Sequence, residues 1–163
     1  MNEFEIIQNP LAGAHILHEF MKIYEDEGSN KSEKRGIKLP LLFMILPIVF
    51  NKDYVEDISS RNFKIGSMWK SLNNEKLYWG NLSDRMADFA NLTFDSLNIA
   101  FSSSLLAYDE NTTNIHCISS INILDKKLLN KDYKDMLSAT SRLGHWLREL
   151  TEDEICSYFN LRY

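Results

Sequence analysis

The sequence predicts an α+β fold that is mainly α-helical: a single domain with one β-hairpin, for which winged-helix topology is one option. Three observations carry this. Apolar residues recur at three- and four-residue spacing over most of the chain. Only around the polar turn DENTTN do two short apolar runs face each other as hairpin strands. The 163 residues, 44% hydrophobic, are one domain's worth of chain and build a core without disulfides or metals.

The first helix starts at Asn9, a good N-cap, with Pro10 at the first helical position, where its missing N–H is harmless. Leu11, Ala14, Leu17, Met21 and Tyr24 form its inward face. The stretch at about 28–38, GSNKSEKRGIK, holds one apolar residue and mixed charge. It cannot offset its ordering entropy by burial and reads as a mobile loop within one domain spanning 1–163. Leu39 to Asn51 is apolar nearly all round, so it reads as a buried element. Pro40 suits a helix start, and Pro47 kinks or splits the segment.

Lys52 to Ser60 predicts a short amphipathic helix with Val55 and Ile58 inward. Ser67 to Leu72 predicts another, anchored by Met68, Trp69 and Leu72. Asn81 to Ser104 reads as one long central helix. Its polar stripe is Asp84, Asp88, Asn91, Asp95, Asn98 and Ser102. The hairpin pairs Leu105–Tyr108 with Ile115–Ile118, and Ile121 and Ile123 are candidates to extend it. Asp132 caps a last long helix over Tyr133–Leu150. Tyr133, Met136, Leu137, Leu143, Leu147 and Leu150 face inward; Lys134, Ser138, Arg142, His145 and Arg148 face outward. Thr151 with Glu154 is a capping-box pattern for a tail helix over Glu152–Phe159.

Most chemistry is excluded by what the sequence lacks. Neither GxGxxG nor GxxxxGK[ST] occurs. Cys117 and Cys156 are far apart, with no CxxC. His15 and His18 lie three apart on one helix without a third ligand, and Glu19 reads as pointing another way; they are more simply interfacial or surface residues. His116 and Cys117 are strand neighbours on opposite faces, so they make no dyad, and Cys117 reads as a small core residue. The first ten residues lack a signal-peptide pattern, and the longest apolar run, Leu39 to Phe50, is too short to span a bilayer. A cytoplasmic protein with no membrane, metal or cofactor is the simplest expectation.

The net charge of −5 disfavours an autonomous nucleic-acid binder. The basic outward stripe of the last helix fits phosphate or a partner's carboxylates. Gly144 within that helix costs roughly 1 kcal/mol relative to Ala. Beside Trp146, a residue type enriched at interface hot spots, it suggests close packing on that turn, either of a partner or of the chain's own core, to which Trp146, one residue off the outward stripe, would then belong. The candidate partner-binding residues are therefore Lys134, Arg142, His145, Trp146 and Arg148.

Three stretches together carry a resemblance: Asn9-Pro10-Leu11-Ala12-Gly13-Ala14 followed by Phe20, LPLLFMILPIVF at 39–50, and Arg142-Leu143-Gly144-His145-Trp146-Leu147. In that order the chain resembles the small middle component of bacterial ABC-three-component conflict systems, among which are the Lamassu antiphage systems. Where that family leads one to expect Leu-Gly-Arg-Trp-Phe, this chain has Leu-Gly-His-Trp-Leu, and the loop at 28–38 looks like an insertion. The resemblance implies a non-catalytic bridging subunit. It would sit between an SMC/Rad50-like DNA-sensing ATPase and an effector, often a nuclease, and help hold the effector inactive until activation. DNA would be met mainly through the complex.

The competing reading is a winged-helix DNA-binding transcriptional regulator. The helix before the hairpin carries Asp84, Asp88 and Asp95 against Arg85, the wrong sign for phosphate. The stretch after it, with Lys126, Lys127, Lys131, Lys134, Arg142 and Arg148, is more suitable.

Overall fold

The computed structural model describes residues 8–26 and 35–162, so positions 28–34 of the expected loop lie outside the described residues. Helix α1, Pro10–Tyr24, begins as its sequence dictates: the Asn9 side chain accepts the Ala12 N–H at 3.0 Å, with Pro10 in the first turn. Ala14, Leu17, Met21 and Tyr24 are buried, but Leu11 is 70% exposed. It sits in the first turn, on the rim of an open groove rather than under a neighbouring helix.

Residues 35–38, assigned to the loop by composition, are held in place. Arg35 donates to the carbonyls of Arg148 and Leu150, and Ile37–Lys38 form strand β1. The apolar run that follows is split as Pro47 requires. Helix α2 is Leu39–Leu42 and α3 is Ile45–Val49. Pro47 has no N–H for the carbonyl of Phe43, four residues back, and the break falls at Phe43–Met44. Helix α4, Lys52–Ser59, is capped by Asn51 and buries Tyr54, Val55 and Ile58. Helix α5, Ile65–Leu72, buries Met68, with Trp69 and Leu72 partly covered.

The single long helix expected over 81–104 is corrected to a short 3-10 turn, Trp79–Asn81, followed by α6, Leu82–Asp88, and α7, Ala90–Ser102. The junction is Phe89, at φ −90° and ψ 1°. Arg85 pulls α6 toward α3 by donating to the Pro47 carbonyl at 2.7 Å, with its guanidinium over the Phe89 ring. Helix α7 instead follows α1. The polar stripe from Asp84 to Ser102 stays outward on both pieces.

Where α7 crosses α1, the residue on α1 is Gly13. A Cβ there would lie 2.1 Å from Ser96 Oγ and 2.9 Å from Ser96 Cβ, so only glycine permits this approach. The hairpin forms as expected from β2, Leu106–Asp109, and β3, Asn114–Cys117, and Cys117 is buried. β1 adds a third antiparallel strand, Ile37 opposite Ile115, giving the order β1-β3-β2. Ile121 and Ile123 do not extend the hairpin. They lie in an irregular strap, 118–130, and are exposed.

Helix α8, Lys131–Leu147, is capped by Asn130, which accepts the Tyr133 N–H at 2.9 Å; Asp132 is in the first turn and is not the cap. Its expected inward face is buried throughout. Gly144 packs on α1, where an added Cβ would lie 2.7 Å from Ile23 Cγ2. The close packing that glycine signalled is therefore internal. Helix α9, Glu152–Tyr158, starts with the expected capping box of Thr151 and Glu154. Helix α1 thus lies at the centre, with α7 and α8 packed against it.

Candidate functional site

Two surfaces stand out, and they differ in chemistry. The first is an apolar groove of about 570 Å³. One wall is the start of α1, with Leu11, Ala12 and Ala14. The second is Ile99 of α7 with Leu105. The third is the strap, with Ile121, Ile123, Leu124 and Leu129.

The groove has a polar floor, where His15 Nδ1 and the Tyr133 hydroxyl are 2.7 Å apart. With the ring proton on Nε2, 3.7 Å from Glu19 Oε1, Nδ1 accepts the phenolic O–H. Burial and the Glu19 charge push the Tyr133 phenol up, so it remains a donor. Burial also pushes Glu19 up, but hydrogen bonds from His15 and Lys22 outweigh it and hold the carboxyl at about 2.

The strap is fastened mainly through backbone carbonyls rather than through its aliphatic side chains. His18 Nε2 donates to the Ser119 carbonyl, and Lys22 donates to the Ile121 carbonyl and the Asn122 side chain. The apolar side chains are consequently left outward: Ile121, Ile123 and Leu124, which line the groove, are all exposed. Contiguous exposed apolar surface on a small domain marks a contact site more often than scattered single residues do.

The two histidines read as interfacial or surface residues are buried and face different partners, Tyr133 and Ser119. Glu19, read as pointing elsewhere, is beside His15, as i,i+4 spacing on a helix places it. Among the described residues, no group of three or more His, Cys, Asp or Glu is arranged to hold a metal.

The second surface is the outward side of α8. Lys134 is exposed as expected. Trp146 is not on the surface: it is 1% exposed, and its indole N–H donates to the Asn62 carbonyl at 3.1 Å. Its expected role as a partner anchor is corrected to that of a core residue. Arg142 donates to the Arg61 and Ser138 carbonyls and to Ser138 Oγ, with its guanidinium 4.6 Å from the centre of the Phe63 ring. His145 meets the same ring edge-on at 4.8 Å, and burial and Arg148 hold its pKa below the usual imidazole value. Arg148 donates to the Asp26 carbonyl. The residues predicted as one outward stripe are thus partly covered by the 61–63 turn.

Sequence reasoning missed the groove. Its signal was present in Ile118 to Leu129, where aliphatic residues recur with no helical or strand period to bury them.

The winged-helix reading gains the connectivity of a first strand docked on the hairpin's second strand. It loses on charge. Helix α7, immediately before the hairpin, contains no Lys or Arg and exposes Asp95. Of the basic residues after the hairpin, Lys127 and Lys131 are exposed, whereas the Lys126 side chain lies outside what is described. Among the described residues, no helix is long and apolar enough to cross a membrane.

Over residues 1–162 the chain matches the family model described as ABC-three component system Middle Component 3. No curated protein and no solved structure matches it.

Proposed function

The chain belongs to the Middle Component 3 family of ABC-three component systems, and from that premise we propose that it is a non-catalytic bridging subunit. It joins an SMC/Rad50-like DNA-sensing ATPase to an effector, a nuclease, in a cytoplasmic antiphage complex of the Lamassu kind. There it helps hold the effector inactive until activation. DNA is met mainly through the complex. The observation that carries this reading is the unpartnered apolar groove between α1 and the strap, a surface suited to another protein chain. The absence of phosphate-loop sequences agrees with a subunit that leaves nucleotide chemistry to its neighbour.

The test is reconstitution with the products of the two adjacent genes. The Leu11→Glu, Ile121→Glu double variant is expected to lose one partner at least tenfold while keeping the other. Unchanged capture of both partners rejects the groove as a contact. ATP turnover by the pure chain, abolished by a point change in it, rejects the non-catalytic assignment.

The regulator reading has the strand connectivity in its favour. It requires submicromolar duplex binding by the free chain with a steep salt slope. The net charge of −5 and the acidic face of α6 and α7 lead us to expect weak binding at physiological salt.

A further inference from the structure

The outward side of α8 holds a second cleft, of about 360 Å³, between α1, α8 and the turn that carries Phe63. Its floor is apolar, made by Ile23 and Leu137, and the half-exposed Phe63 ring is its wall. Around that floor the groups are almost all donors. Lys134 is exposed, with no carboxylate within ion-pair distance among the described residues. Arg142 spends Nε and Nη1 on Arg61 and Ser138, leaving Nη2 with no acceptor among the described residues. The Ser141 hydroxyl on the same lining makes no hydrogen bond among them either. The one anion in the lining, Glu19, is already paired with Lys22 at 2.5 Å.

In a chain of net charge −5, two uncompensated cations and a free hydroxyl over an apolar floor are a charge pattern with one complement. We infer that this cleft takes a short acidic–apolar segment of another subunit. An Asp or Glu side chain sits between Lys134 and the free Nη2 of Arg142, and an adjacent apolar side chain lies on Ile23 and Leu137 beside Phe63. The guanidinium is held flat by its other hydrogen bonds and by the ring, so its remaining edge is pre-aimed and little side-chain entropy is lost on binding. A nucleic-acid backbone fits less well. It would need a broad basic surface instead of a cleft with an aliphatic floor, and it would be repelled by the chain as a whole. This inference rests on the bridging reading only in taking the ligand to be a neighbouring subunit; it does not depend on the apolar groove.

Carbodiimide, which joins an amine only to a carboxylate in contact with it, decides the matter in the reconstituted complex. The expected product links Lys134 to an Asp or Glu of a partner, and Lys134→Glu weakens that partner at least tenfold with the melting temperature unchanged. A complex that assembles with Lys134 uncoupled overturns the inference. Where no complex assembles, the bridging reading fails, and a peptide of alternating glutamate and leucine titrated against the free chain decides instead. Saturable binding weakened tenfold by Lys134→Glu supports the cleft. No binding, or preferential binding of a twenty-base-pair duplex, overturns it.

Discussion

The apolar groove and the outward side of α8 show what residue type alone does and does not reveal about a surface. The α8 side is rich in Arg, His and Trp, the residue types that favour interfaces. Yet Trp146 is in the core, and Arg142 and Arg148 are tied to backbone carbonyls of their own chain. The groove is made of plain aliphatics that elsewhere would be core, and its strap leaves them outward because His18 and Lys22 fasten the backbone. On the α8 side Arg142 and Arg148 spend donors on internal carbonyls, and only Lys134 and one edge of Arg142 are left over; the aliphatic side chains of the groove have no such internal partner and remain available as a whole.

The sharpest way to break this comparison is Trp146→Ala. Emptying a fully buried indole site and orphaning the Asn62 carbonyl is expected to cost about 3–5 kcal/mol by chemical denaturation. Both partners should be lost together through unfolding. A variant that melts normally and loses a single partner would return Trp146 to the interface.

Gly13→Ala is expected to have the next largest effect. The clash with Ser96 Cβ cannot be relieved by a rotamer change, so overpacking of about 1–3 kcal/mol should outweigh the ~1 kcal/mol gained in helix propensity. Ser96→Gly in the same chain reopens the space, and the double variant should be more stable than the two single losses sum to. Additive losses would mean that the two helices do not cross at this pair.

The groove residues are expected to behave in the opposite way. Leu11→Glu and Ile121→Glu each place a charge in solvent and should change stability by no more than about 0.5 kcal/mol. Their effect should appear only in partner capture. A melting temperature lowered by several degrees would show that these side chains belong to the core after all.

Much of the fold was legible because local rules and tertiary packing agree. Asn9 with Pro10, Thr151 with Glu154, and Pro47 each act within four residues, and each did what its chemistry requires. Two misses are local, the cap of α8, which is Asn130 and not Asp132, and the side of α1 on which Glu19 lies; the larger ones are long-range. The break at Phe89 depends on Arg85 reaching a carbonyl 38 residues away. β1 exists because Ile37 finds Ile115, and because Arg35, two residues before it, is tied to the carbonyls at the end of α8. Gly144 and Trp146 correctly announced close packing, but nothing in their neighbourhood says that the other side is Ile23 and Asn62 of the same chain. For the candidate site, Lys134 was legible by helical period, whereas the groove required knowing that the strap is pinned by its backbone.

The smallest expected effect sharpens the comparison through acid. Burial lowers the pKa of both His18, under the strap, and His145, on the α8 side. For His18 the Ser119 carbonyl only partly offsets burial, and Lys22 and His15 on the same helix add to the lowering while Glu19 opposes it. A histidine with a lowered folded pKa binds its proton more readily unfolded. Stability is therefore present in full above the ordinary value near 6.5 and falls as pH drops through that value toward the folded one. Glu19 and Asp57 are held low by hydrogen bonds that outweigh burial, so their contribution goes only later, as pH falls below the ordinary carboxyl range. Melting between pH 7.5 and 5.5 should thus report His18 and His145 ahead of Glu19 and Asp57. His18 is 0% exposed and His145 is partly exposed, so the strap side should dominate. His18→Gln, whose amide can still donate to Ser119, is expected to flatten most of the decline, and His145→Gln little of it. If His145→Gln flattens it more, the α8 side is the tighter environment and the order of the two surfaces is reversed.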